Sequence, residues 1–169
     1  GLLEGAGLSG LMSRALANGN SPIAAGLHSF KGAVSVNGHG AYNGMLIKGG
    51  DTVTTGRDSE AVYVIGQDAF LQRDNSSVVF GDAASDFFRL TTGKLLSVFG
   101  RGKKKLLVGP ATIGIRGTGC YIESTPSQTY FCLCYGEAEV IPNAAPEQRE
   151  VIVTRHHVHP IIIGAHSHA

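Results

Sequence analysis

The sequence predicts an all-β domain, an antiparallel β-sandwich or a β-roll of many short strands, preceded by a short helical arm. Three observations carry this. Short runs rich in Val, Ile, Thr, Tyr and Phe recur at roughly 8–12-residue spacing, with turn residues between them. Glycine is very frequent, 24 of 169 residues, without the strict triplet period of collagen. No helix of useful length falls between the runs, which excludes a doubly wound parallel sheet. Alternation is the same in a sandwich and a roll, so both stay open.

The elements follow in chain order. "KGAVSVNG" alternates and ends in Asn37-Gly38, a hairpin signal. "MLIKGGDTVTTG" gives two short strands around Gly49-Gly50-Asp51. "EAVYVIGQDAFLQRD" sets Val62 and Val64 against Tyr63 and Ile65, then breaks at Gly66. "SSVVFGD", "DFFRLTTGKLLSVFG" and "KKLLVGPATIGIRGT" continue the rhythm. "CYIES" and "TYFCLCYGEAEVIP" flank a four-residue turn, Thr125-Pro126-Ser127-Gln128. "NAAPEQRE" reads as a surface loop, and "EVIVTRHHVHPIII" as a last strand stopped or bulged at Pro160.

Composition narrows the function classes. With 43% hydrophobic and 16% charged residues, the chain can bury a real core, as one domain or one domain plus an arm. A net charge of +1 gives no long-range field to recruit nucleic acid or an acidic membrane. The predicted organisation is an apolar arm or leader-like segment with its linker over residues 1–22, a β-domain over 23–155, and a His-rich tail over 156–169.

At the amino end, Leu8, Leu11, Met12, Ala15 and Leu16 keep the spacing of an amphipathic helix. The same stretch, ending in Ala15-Leu16-Ala17, also has the look of an export signal cleaved before Asn18, although Glu4 is unusual there. It is too short and interrupted to span a bilayer. A helix packed on its own domain is the bland reading. The reading carried forward is an arm, with Leu8, Leu11, Met12 and Leu16 seated in a groove of the next copy.

In "ATIGIRGTGCYIE" the glycines at 114, 117 and 119 mark bulges or close backbone approach. Arg116, between two apolar strands, is expected to be poorly placed for water and to pair with a carboxylate, Asp51 or Asp82, or with carbonyls. This stretch also carries a resemblance. "GAVSVNG", "GDTVTTGRDSEAVYVIGQDAFLQ", "FRLTTGKLLSVFG", "ATIGIRGTGCYIE" and "TYFCLCYGEAEV", in that order over about residues 30–141, resemble the FecR domain family. The most specific pieces are the GD-x-V-x-T-G turn at Gly50–Gly56 and the IGIRGT block at Ile113–Thr118. The resemblance implies an extracytoplasmic all-β domain without enzymatic activity. Signalling members place such a domain after an anti-sigma segment and a transmembrane helix, and neither is present in this sequence. What transfers is the β-scaffold, with Gly50, Asp51, Arg116 and Gly117 as fold determinants.

Two clusters could carry chemistry. His157-Val158-His159 and His166-Ser167-His168 are both H-x-H, so each pair shares a strand face and could grip one Zn, Cu or Ni ion. A turn over Pro160–Ala165 would bring the four imidazoles together; the bland alternative is an exposed tail that titrates near neutral pH. Cys132 and Cys134 lie on one face of one strand, ~6.5–7 Å apart by strand rise, which suits shared metal ligation and strains a direct disulfide. Cys120 lies across the Thr125–Gln128 turn and could pair with either, while the bland reading makes all three small buried hydrophobes. "GRGKKK" at Gly100–Lys105 reads as a solvated hairpin tip, and "TGKLLS" lacks the glycine spacing of a phosphate loop. No Ser/His/Asp constellation can be assembled. The expected function is therefore a non-catalytic, exported β-domain, periplasmic or extracellular in a bacterium. It associates with copies of itself, as a homo-oligomer or filament, through its arm and strand edges, with a further cell-envelope partner left open. The alternative is a periplasmic metal-binding or sensing module using the four histidines.

Overall fold

The computed structural model describes residues 24–81, 88–100, 102–154 and 161–164. Leu8, Leu11, Met12 and Leu16 of the expected helical arm, Asp82, and His157, His159, His166 and His168 lie outside the described residues. Thirteen strands are formed among those described: β1 (Gly26–Lys31), β2 (Val34–Val36), β3 (His39–Gly40), β4 (Thr52–Thr55), β5 (Glu60–Ile65), β6 (Asp68–Gln72), β7 (Ser76–Phe80), β8 (Phe88–Val98), β9 (Lys103–Val108), β10 (Ala111–Ser124), β11 (Gln128–Pro142), β12 (Glu150–Thr154) and β13 (Ile161–Gly164). One 3-10 turn, Pro146–Gln148, interrupts the loop before β12. The all-β expectation is met.

The strands form one mixed sheet with two branches. One branch runs β12-β11-β10-β9-β8-β7-β4-β2-β3; the other leaves it through β8 to β6, β5 and β1. The long strands belong to both. β10 pairs with β9 through Ala111–Arg116 and with β8 through Gly119–Ser124. β8 changes partners around Gly93: Phe88–Leu90 lies beside β7 and β9, and Leu95–Val98 beside β6. Gly93 has φ +116°, and a Cβ there would stand 2.1 Å from Ser76 Oγ, so only glycine fits the crossing. The β8–β9 ladder is parallel, which corrects the purely antiparallel expectation. Because β8 is shared, its first third is met by a strand running the same way.

Local chemistry explains the turns. Asn37 (φ 54°) and Gly38 (φ 81°) both sit at positive φ, as a two-residue hairpin of the favoured hand requires. Asp51 clamps the next turn: its carboxylate accepts from Asn37 Nδ2 and from the Lys48 amide, both at 2.8 Å, and Asn37 Oδ1 accepts the Thr52 amide at 2.9 Å. Gly50 (φ 90°) donates its amide to the Phe80 carbonyl. Met45–Lys48 does not form the expected strand; instead Gly44 and Met45 bond the main chain of Leu27, and Ile47 enters the core.

The core is built on rings. Phe70 stands 5.3 Å from Tyr63, 5.4 Å from Phe80, 5.9 Å from Phe88 and 5.7 Å from Phe99, mostly edge-to-face. Burying Tyr63 requires a partner for its hydroxyl, and Gln72 Oε1 accepts it at 2.9 Å. Gln72 is itself buried, and its amide donates to the Val53 and Ser76 carbonyls, tying β6 to the neighbouring branch. The segment that reads as one last strand is two: β12 pairs with Gly136–Val140 and β13 with Gln128–Phe131, opposite ends of the 15-residue β11. Ile163 is fully buried, so the β-domain extends into the stretch expected to be tail.

Gly117 and Gly136 make a sharp comparison. Gly117 has φ +55° and open space where a side-chain methyl would stand, whereas Gly136 has φ +102° and a Cβ would stand 2.5 Å from the Gly117 carbonyl. Gly117→Ala is expected to cost about 1 kcal/mol of backbone strain, and Gly136→Ala about 3 kcal/mol or more because main chain must also move. Urea unfolding of the two variants checks the order.

Candidate functional site

The outer face of β9–β12 is set by alternation. Ile113 and Ile115 take core positions, so Gly114 and Arg116 face outward and Arg116 is exposed. This corrects the expectation that Arg116 is poorly placed for water. Strand parity decides its direction, and the apolar neighbours on which that expectation rests point the other way. Gly117 and Thr118 form the bulge that follows, between the Arg116–Glu137 and Gly119–Tyr135 pairs.

Register then lays three stripes side by side. Lys103 stands beside Arg116, Glu137 and Val153; Lys105 stands beside Gly114, Glu139 and Val151. A basic stripe, an acidic stripe and an apolar stripe thus run across the sheet to its edge. A shallow groove of about 430 Å³ follows the first two. Arg149 approaches Glu139 at 3.8 Å, an exposed contact of little energetic weight. At the edge, Val151 is 56% exposed and Val153 is 73% exposed, while Ile152 between them packs on the core.

Around this face, the lysine run divides by parity. Lys103 and Lys105 are exposed, but Lys104 turns toward Asp68, with Nζ 3.8 Å from Oδ2. Asp68 is buried and accepts the Gly100 amide at 2.7 Å. Burial pushes its carboxyl above the ordinary carboxylate range, against the opposing pull of the Gly100 amide and Lys104. The sequence pattern does not single out Asp68; its only signal is an acid opening an otherwise apolar strand.

The three cysteines are free thiols. Cys120 is in the core opposite Leu133, so the pairing across the hairpin is not formed. A register shift leaves Cys134 opposite no residue of β10, which breaks the simple two-residue alternation expected from Cys132. Burial raises all three thiol pKa values, so they are weak nucleophiles near neutral pH. Among the described residues, no group of three or more His, Cys, Asp or Glu side chains stands together as a metal site. The stretch expected to turn between the two H-x-H pairs holds β13, four extended residues, so the chain runs straight there.

A second groove of about 430 Å³ lies by the β10–β11 turn, lined by Asp74, Lys94, Glu123, Gln128, Tyr130 and Ile162 among others. Tyr121 donates its hydroxyl to Glu123 at 2.8 Å and meets Tyr130 edge-on, with ring centroids 6.4 Å apart. Burial and this carboxylate raise the Tyr121 pKa, which makes it a hydrogen-bond donor rather than a base.

Among the described residues, no helix is long and apolar enough to cross a membrane. No family model matches the chain, and the search of curated proteins finds no match.

The Asp68 pocket has a definite pH signature. A carboxyl with a raised folded-state pKa favours folding below its unfolded value of 3.8, and that contribution is lost as pH rises through the folded value. Asp68→Asn keeps an acceptor for Gly100 without the buried charge. It is expected to raise the melting midpoint at pH 7, with the difference shrinking as pH falls toward 4. Thermal unfolding across that range checks the sign.

Proposed function

We propose that this chain is a non-catalytic, extracytoplasmic structural β-domain that associates with copies of itself, and that β12 is its contact edge. The observation that carries the proposal is the exposed apolar edge: Val151 and Val153 face outward on a strand that pairs on one side with β11. A regular strand with free main-chain groups and apolar side chains is a template for another strand. The FecR resemblance supports the extracytoplasmic, non-enzymatic part of the reading.

The sequence of β12 suits antiparallel pairing with itself. Centred on Ile152, Val151 falls opposite the second copy's Val153, and Glu150 opposite its Thr154, so no like charges oppose one another. Four valines then form one continuous outer row, flanked by the Glu137 and Glu139 stripes of both copies. Such a contact is two-fold and closes at two chains. The filament expected from the sequence needs a second, head-to-tail contact.

Light scattering of the purified protein is expected to give twice the chain mass of 17.6 kDa. Val151→Lys with Val153→Lys places two charges per copy in the paired row and is expected to give monomers with unchanged far-ultraviolet circular dichroism. A wild type that stays monomeric at high micromolar concentration, or a double variant that still pairs, sinks the proposal.

A further inference from the structure

The irregular stretch of the β10–β11 ladder sets two thiols side by side. Gly119 pairs with Tyr135 and Cys120 with Leu133, so Cys134 is the extra residue between two consecutive pairs. Across the ladder it faces Gly119 and Cys120, and of these only Cys120 has a side chain. Facing residues of an antiparallel ladder stand ~4.5–5.5 Å apart at Cα, and a disulfide spans ~4.4–6.8 Å. The two cysteines are held differently. Cys120 is fully buried and fixed from both sides, by Ser97 on β8 and Leu133 on β11. Cys134 is half-buried and, among the described residues, has no partner in any ladder: pairing with β12 starts at Gly136 and pairing with β13 stops at Phe131. It therefore meets solvent and has room to shift toward a partner that is already in place. Cys132 is a poorer match for Cys134, since it is held opposite Tyr121 and lies ~6.5–7 Å along the same strand. The electrostatics agree with this placement: burial raises the Cys120 thiol first, then the charge of a Cys134 thiolate, then that of Cys132.

We propose that Cys120 and Cys134 are an oxidation site, a dithiol that closes into an intramolecular disulfide across the bulge, with a small-molecule disulfide as the oxidant. The half-buried thiol reacts first. The Cys134 thiolate attacks one sulfur of the small disulfide, a mixed disulfide forms, and one small thiolate leaves. Cys120, deprotonated in turn, attacks Cys134 Sγ and releases the second small thiolate. Two protein thiols are oxidised, one small disulfide is reduced to two thiols, and the two protons end on those thiols. The structure holds the reduced state, with all three cysteines free. The closed loop is the β10–β11 hairpin, whose ends the ladder already holds together, so the bond acts as a clamp on the bulge rather than as a closure of a long loop. The chemistry is independent of the β12 contact, and an oxidising compartment, as in the extracytoplasmic reading, favours the closed form.

Oxidation of the full chain tests it. The folded protein is incubated with 2-hydroxyethyl disulfide, and free thiols and intact mass are followed. The count is expected to fall from three to one, with the chain still monomeric by denaturing mass analysis. Raised thiol pKa values make the reaction faster in alkaline than in neutral buffer. Cys132→Ala is expected to lose both of its remaining thiols, and Cys134→Ala to keep both of its own free of any intramolecular link. Cys134 is half-buried, so its replacement leaves the core intact, and circular dichroism confirms the fold of both variants. A wild type that keeps three thiols overturns the proposal. So does a product that stops at the mixed disulfide, because Cys120 then does not reach Cys134. A Cys134→Ala protein that still closes a link, or a Cys132→Ala protein that does not, assigns the bond to another pair and overturns it equally. The same thiol counts are expected in the Val151→Lys, Val153→Lys protein, so failure of the β12 contact and failure of this pair are distinguishable.

Discussion

The carbonyl of Gly117 occupies the place where a side chain at position 136 would be. This close approach fixes the β10–β11 hairpin at its bulge. The two strands, 14 and 15 residues long, are too long to belong to one flat sheet. A bulge lets the ladder shift and twist, so that the halves away from the turn continue into β9 and β12 and the halves beside the turn into β8 and β13. Both branches of the fold, and the ring-filled space between them, follow from that change of direction. Phe99 shows the coupling: its amide bonds the Thr118 carbonyl within the bulge, and its ring packs on Phe70 and Phe88.

Features set by adjacent residues are legible in the sequence. Asn37-Gly38, Gly66 and the Thr125–Gln128 turn each carry their conformational reason within two to four residues, and each lies where local chemistry puts it. The alternation of β5 and β6 is equally plain. Features set by distant pairing are not legible. Nothing near Met45 says that Leu27 takes its main-chain bonds, and nothing near Pro160 says that the first part of β11 lies open for a separate strand. The sequence pattern draws attention to Gly117, although Gly136 is the more constrained; its need for glycine comes from a carbonyl nineteen positions away, and only the register brings them together. Arg116 misleads for a simpler reason. Its apolar neighbours suggest burial, but the parity of the strand turns it outward.

The same distinction applies to the candidate site. The stripes on β9–β12 are composed of residues that, taken in sequence order, read as a lysine turn, a glycine-rich strand, a cysteine-bearing strand and a last strand. They become a surface only when Lys103, Arg116, Glu137 and Val153 stand side by side. Asp68 is the buried counterpart. Its acid character is visible in the sequence, but its burial and its bonds to Gly100 and Lys104 are products of the fold.

The edges of the described sheet differ in how they are protected, and this singles out β12. β1 carries a register shift between Leu27 and Ser29, and its outer side is partly bonded by Gly44 and Met45. A bulged, covered strand is a poor template for another chain. β3 has two residues and β13 four, too few for a long ladder. β12 has five residues in unbroken register with β11, a Val-Ile-Val centre and no proline within it. Its two outward valines are left largely in water, and that exposure is a cost unless another surface covers them. The burial of Val62 and Leu71 on the opposite branch gives the comparison: there a comparable apolar row is covered, and on β12 it is left open. The two faces thus differ in kind: the β5–β6 row is withdrawn from water, and the β12 row is presented to it.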